Sequence, residues 1–290
     1  MRHPDVFTLR GKDQFMKQER YTFNTGLRIL VILLAALFLA NRPAHCQSHH
    51  HEEEELHFSH PLIVESPSPD TKIRFDYFYR RFRNGIHASE HTTRVEFEYA
   101  FRPTFSIETN VPYTFRNVDG EPRVSHTDSI EVALKFANFH FKEKHVLLVY
   151  GVSFELPTGS DRKEIGSNHL FEIQPYFGIG IKRKKVEVIG FSSVSIPTNK
   201  KPLDEDATTL GYELSFLFKP TPSIQPLVEL DGETVLAGAD SGRTVVNLSP
   251  GIKFRPFHSE HWQVGAGVGF PITSAHDFGA RAVFSAFYHF

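Results

Sequence analysis

Two sets of side chains in this chain have types and spacings that could do chemistry. The first is the tract His49-His50-His51-Glu52-Glu53-Glu54-Glu55, with His57 and His60 just beyond it. Imidazoles and carboxylates are ligands for Zn²⁺, Cu²⁺ or Ni²⁺, and a crowded tract can hold such an ion loosely without a folded site. His49, His50, His51 and His57 are the metal-ligand candidates, and no other cofactor is expected. The plainer reading, which the acidic composition favours, is a disordered polar leader.

The second set is a series of polar residues, most of them charged, recurring at every second position between aromatic and branched residues: Arg74, Asp76, Arg80, Arg94, Glu96, Glu98, Glu108, Glu131, Lys135, Glu155, Glu172, Gln174 and Arg281. A period of two places them on one face of a series of strands. Catalysis finds little support. Ser285 and His289 share a face, but four residues of strand separate them by roughly 13 Å. His87, His126 and His169 stand alone in polar stretches. No nucleophile–base pair is apparent, so no enzyme is expected.

The elements that must position these side chains are legible from Lys72 onward. Ile73, Phe75, Tyr77 and Tyr79 alternate with Arg74, Asp76, Phe78 and Arg80, and Val95, Phe97, Tyr99 and Phe101 alternate with Arg94, Glu96, Glu98 and Ala100. Similar runs occupy 105–115, 130–136, 146–156 and 171–181. Less regular ones fall at 186–196, 208–218, 223–231, 244–254, 261–272 and 277–290. That makes about twelve strands, an even number as single-chain bacterial barrels prefer. Connections at 83–91, 117–128, 157–169, 197–207 and 232–243 read as long. Those at 102–104, 140–145, 182–185, 219–222 and 255–260 read as short. This alternation suits long loops at one end of a transmembrane barrel and tight turns at the other, with both termini at the periplasmic end. The expected fold is therefore all-β: a single antiparallel up-and-down barrel over 72–290, its charged face lining the lumen. The alternative is a soluble β-sandwich, in which those charges would meet water.

Ahead of the barrel, Ile29 to Ala40 is an unbroken apolar run, preceded by Lys17, Arg20 and Arg28 and followed by Pro43-Ala44-His45-Cys46. This is the anatomy of a secretory signal over 1–46, with Met16 an alternative start. The run is too short for a membrane helix, which needs about 20 apolar residues. Cleavage after Cys46 would remove the single cysteine. A lipidated Cys46 is the alternative, against which Pro43-Ala44-His45 counts as a poor lipoprotein box. Residues 47–71 would form the His/Glu-rich leader. Phe is abundant, at 28 residues, while net charge is −2 and mean hydropathy is −0.28. A helical membrane protein would be more apolar, and a nucleic-acid binder far more basic.

At the other end, Phe290 closes a run in which Phe284, Ala286 and Tyr288 share its face. Phe284, Tyr288 and Phe290 resemble the terminal signal that barrel-assembly machinery reads. The segment Gly151-Val152-Ser153-Phe154-Glu155-Leu156-Pro157-Thr158-Gly159-Ser160, followed by the hairpin-like runs 170–181 and 186–196, resembles the MetA-pathway of phenol degradation family of outer-membrane proteins. The resemblance implies a barrel in the outer membrane of a Gram-negative bacterium, among lipid and lipopolysaccharide. It further implies passive transport of a small, hydrophobic or aromatic solute. Two alternatives are a non-conducting structural or partner-binding barrel, and a component of a metal export or acquisition system using the His-rich leader. Gly265, Gly267 and Gly269 fall on the expected lumen face, where they would leave room for a permeant or for Phe287 and Phe78.

Overall fold

The computed structural model describes residues 56–82, 88–200, 207–238, 240–256, 259 and 261–290. The signal-like segment 1–46 with Cys46, and the His49–His51 tract, lie outside them. The described residues form β1 (Lys72–Phe82), β2 (Ala88–Arg102), β3 (Phe105–Val118), β4 (Val124–Thr127), β5 (Ile130–Asn138), β6 (Val146–Leu156) and β7 (Phe171–Arg183). They continue with β8 (Val186–Thr198), β9 (Thr208–Phe218), β10 (Ile224–Ala237), β11 (Thr244–Phe254), β12 (Trp262–Pro271) and β13 (Ala280–His289). Twelve of these, all but β4, pair antiparallel in sequence order. The ring closes between β1 and β13, from Lys72 opposite His289 to Arg81 opposite Ala280. The expected barrel is therefore present, every anticipated strand included.

Side-chain distribution is inverted relative to a soluble sheet protein. Ile73, Phe75, Phe136, Tyr150, Phe177, Phe216, Ile252 and Phe284 are exposed, whereas Lys72, Arg74, Asp76, Glu96, Glu98 and Lys135 are buried. Each group follows the period-two pattern, so the outside of the ring is apolar and the inside is charged. A sandwich would bury the first group and expose the second. At the short-turn end, the rings of Tyr99, Phe101, Phe105, Phe136 and Tyr150 follow one another at 4.7–5.8 Å. Trp262, Tyr288 and Phe290 continue with centroid spacings of 5.0 Å. Aromatic girdles of this kind flank the apolar band of transmembrane barrels. No helix among the described residues is long and apolar enough to cross a membrane.

Three connections differ from expectation. The long segments anticipated at 83–91 and 232–243 shrink to 83–87 and 238–243, because β2 and β10 run further toward the long-loop end. Polar residues there stay in the ladder through cross-strand partners: Glu90 meets Arg80 at 3.3 Å and Arg116 at 3.1 Å. The anticipated loop 117–128 contains β4, a four-residue strand that pairs with the end of β3. It is too short for periodicity to reveal.

The larger correction concerns the leader. Its last part, residues 56–71, is not a free tether. It enters the barrel at the short-turn end, bends at Leu62–Val64 and returns to β1 as a finger inside the lumen. Phe58, Leu62 and Val64 are at most 1% exposed. They pack against Ala137, Leu147, Ile189, Leu217, Leu227, Val283 and Phe287, inward-facing residues of β5, β6, β8, β9, β10 and β13. Pro61, Pro67 and Pro69 suit a segment that joins no ladder, since each removes a backbone donor and narrows the unfolded ensemble.

Candidate functional site

The lumen is built from the wall inward. On one side the wall is a charge network. Lys72 Nζ lies 2.7 Å from Glu96 and 2.5 Å from Glu98. Lys135 Nζ reaches Glu65, Glu98 and Glu108 at 3.0, 3.1 and 3.4 Å. Arg74 and Arg94 both bind Asp76, at 2.8 and 2.7 Å, and Ser285 also donates a hydrogen bond to it. Of this group, Glu65 belongs to the finger, so the network joins the finger tip to the wall. Buried charges persist when paired and hydrogen-bonded, and here nearly all are.

Opposite, Glu229 of β10 cradles the bend. One carboxylate oxygen accepts the Ile63 and Val64 N–H groups at 3.0 Å each, and the other accepts that of Leu62 at 3.3 Å. Arg74 donates to the Leu62 carbonyl and Lys253 to that of His60. Wall side chains thus satisfy backbone groups that no strand serves. The glycine face of β12 completes the seat. A Cβ on Gly265 would lie 2.6 Å from Leu62 and one on Gly267 3.2 Å, and across the ladder one on Gly251 of β11 would lie 2.7 Å from it. The space these glycines leave is filled by Leu62 rather than by a permeant or by Phe287 and Phe78.

Above the finger, toward the long loops, lies a cavity of about 440 Å³ floored by Ile63 and Glu65. Its lining carries seven carboxylates (Glu65, Glu108, Glu131, Glu213, Asp231, Glu233 and Asp277) against Arg80, Arg94, Lys135 and Arg281. Higher in the wall, Glu131, Glu155 and Glu172 stand opposite one another on β5, β6 and β7. Ser195 donates to Glu172. Arg281 binds Asp231 at 2.5 Å, and Gln174 bridges Ser153 and Ser193 at 3.0 Å each. All thirteen lumen candidates read from the sequence therefore face inward. They divide into a lower group locked in the finger network, Arg74, Asp76, Glu96 and Glu98 among them, and an upper group around the open cavity.

At the short-turn mouth the finger's two ends meet. His57 and His60 Nε2 each lie 2.8 Å from Asp70 Oδ2, and His289 Nδ1 lies 3.3 Å from the same atom. Burial pushes the Asp70 carboxyl up, but hydrogen bonds from His289, His57 and His60 outweigh it and hold it well below the usual carboxylate range. Burial and the nearby Lys72 ammonium push His60 well below the ordinary imidazole value. Of the leader's metal candidates, His57 is thus placed beside a histidine that the candidate set left out. Ser285 and His289 serve different partners, Asp76 and Asp70.

In the loop after β6, Asp161, Ser167 and His169 also come together. Ser167 Oγ and Asp161 both meet His169 at Nδ1, at 3.1 and 2.8 Å. A nucleophile–base–acid relay needs both ring nitrogens, so this contact orders the loop. The Leu156-Pro157-Thr158-Gly159 motif serves the same loop. Thr158 Oγ1 accepts the Ile130 N–H at 2.8 Å, and a Cβ on Gly159 would meet Gly166 backbone at 2.6 Å.

The finger residues were missed as functional parts, although the sequence carries a signal for them. Near the short-turn end the inward positions of several strands turn apolar: Leu147, Val149, Ile189, Leu217, Leu227 and Val283. An apolar ring inside a polar lumen requires an apolar occupant.

No protein-family model matches the chain, and no curated protein matches it. The resemblance carried by residues 151–160 therefore stands on that motif alone. Among solved structures, the chain superposes on the COG4313 outer membrane channel from Pseudomonas putida F1 with a TM-score of 0.60 and 12% identity, over 83% of this chain and 100% of that one. NanC porin gives a TM-score of 0.51 at 8% identity, over 76% and 98%. KdgM porin in complex with disordered oligogalacturonate gives 0.50 at 12%, over 75% and 99%. At such identities the likeness is one of fold: the chain has the architecture of outer-membrane β-barrel channels.

Proposed function

We propose that this chain is a channel of the Gram-negative outer membrane that gives passive passage to a small polar solute, neutral or positively charged. In this reading the finger 56–71 is the gate, and both termini face the periplasm. The observation that carries the reading is the acid-lined cavity, open toward the long loops and ending on the finger. Seven carboxylates against four basic groups bias such a lumen toward cations. An anionic sugar like the oligogalacturonate held by the KdgM porin suits this lining poorly. So does the hydrophobic solute implied by the MetA-pathway resemblance, because the lining is largely charged and hydrogen-bonding.

Liposome swelling tests the reading. Vesicles carrying the full chain should swell in small neutral or cationic solutes faster than in anionic ones of equal size, and faster still once residues 56–71 are deleted. Equal rates for all charges would remove the selectivity. No swelling with either chain would favour the second reading, a closed structural or partner-binding barrel, to which the full burial of Phe58, Leu62 and Val64 lends support.

A further inference from the structure

We propose that His57, His60 and Asp70 of the finger, with His289 of β13, form a binding site for a divalent transition-metal ion, Zn²⁺ being the natural occupant of such a donor set. Three imidazole nitrogens converge on one oxygen, Asp70 Oδ2, at 2.8, 2.8 and 3.3 Å. A carboxylate oxygen offers about two lone-pair directions, so three ring nitrogens oversubscribe it. A cation at the centre of the same four groups resolves the convergence. Donors about 2.0–2.1 Å from a tetrahedral Zn²⁺ stand roughly 3.3 Å apart; His57, His60 and Asp70 already bring one donor atom each within 4.8 Å of one another, and His289 would move in to complete the set.

A second observation is independent of those distances. His60 is 1% exposed and the His289 side chain 15%, so the convergence is largely shielded from water; the ring atoms without a hydrogen-bond partner, His60 Nδ1 and His289 Nε2, are those that do not meet Asp70. His57, whose side chain is half exposed at 51%, leaves the site a route to solvent at the short-turn mouth. The donor set of nitrogen and carboxylate ligands suits Zn²⁺, Cu²⁺ or Ni²⁺ over Mg²⁺ or Ca²⁺. Its placement has a structural consequence. His57 and His60 precede the bend, Asp70 follows it and His289 ends the last strand, so one ion would staple both limbs of the finger to the barrel seam. This differs from loose binding by the His49–His51 tract, since it needs the folded barrel.

The test is zinc titration of the full refolded chain in detergent, with Co²⁺ as a spectroscopic stand-in. The expected result is one Zn²⁺ per chain, visible absorption of four-coordinate Co²⁺, and slowed amide exchange at residues 57–70 when Zn²⁺ is added. His289→Gln and His57→Gln should each weaken binding by about 100-fold or more, beyond what outer-shell changes usually cost. Joint replacement of His49, His50 and His51 by Gln should leave that one site intact. His60→Gln could unseat the finger, so the two more exposed variants decide the matter, with heat-modifiable migration confirming that each barrel is folded. Zinc binding that survives His289→Gln and His57→Gln, or that disappears with the His49–His51 replacements, would overturn the assignment, as would absence of binding by the parent chain.

Discussion

If the finger is the gate, Glu229 is the residue on which closure turns. It accepts three consecutive backbone N–H groups at the bend of the finger, a count no other single side chain among the described residues matches there. Leaving a buried donor unsatisfied costs about 1–3 kcal/mol, so Glu229→Leu should weaken seating by about 3 kcal/mol or more, over 100-fold in the closed-to-open ratio. Open probability in single-channel records measures this directly, and unchanged gating would remove Glu229 from the account. Leu62→Ala should cost about 2–5 kcal/mol of seating by emptying the pocket among Gly251, Gly265 and Gly267. At this scale the sequence was partly legible. Alternation was enough to place Arg74, Glu96 or Lys135 on the lumen face. It could not tell that these side chains lock a finger in place while Glu131 or Arg281 line open space, because that depends on where Glu65 and Leu62 arrive.

The strands were the most legible part of the chain, since one side meets an apolar medium and the other does not. Every second residue of β1 and β13 obeys this rule as far as Phe290, whose N–H bonds the Thr71 carbonyl at 3.1 Å beside the β1–β13 seam. The β4 strand escaped because it is too short to show a period, and the extension of β2 toward the long loops escaped because cross-strand polar pairs such as Glu90 with Arg80 and Arg116 hold it. The finger escaped for a different reason: it has no period, and its order comes entirely from the wall around it. Two predictions belong here. Deleting Phe290, or Phe290→Asp, should reduce the folded barrel seen by heat-modifiable migration while export continues. Normal levels of folded mutant would remove the terminal residue from assembly. Gly265→Val places a Cβ 2.6 Å from Leu62 in a strand that tolerates β-branching. The barrel should form, whereas residues 56–71 should become accessible to protease. A protected finger in a folded Gly265→Val barrel would show that the glycine face does not define the seat.

Taken as a whole, the molecule is a polar tube with an apolar skin and a stopper made from its own N-terminal side. Its cavity is lined by more carboxyl groups than basic ones. Reversal potentials across a salt gradient should therefore report cation preference. The preference should shrink toward 1 M salt, where the screening length falls from about 10 Å at 0.1 M to about 3 Å. The central claim is that a conducting path exists and that the finger closes it. Planar-bilayer recording of the full chain beside a chain lacking residues 56–71, at matched barrel insertion, tests that claim most directly. The account predicts rare, brief openings for the full chain and steady cation-preferring conductance for the deletion. Folded, inserted barrels of the deleted chain that stay silent would contradict it.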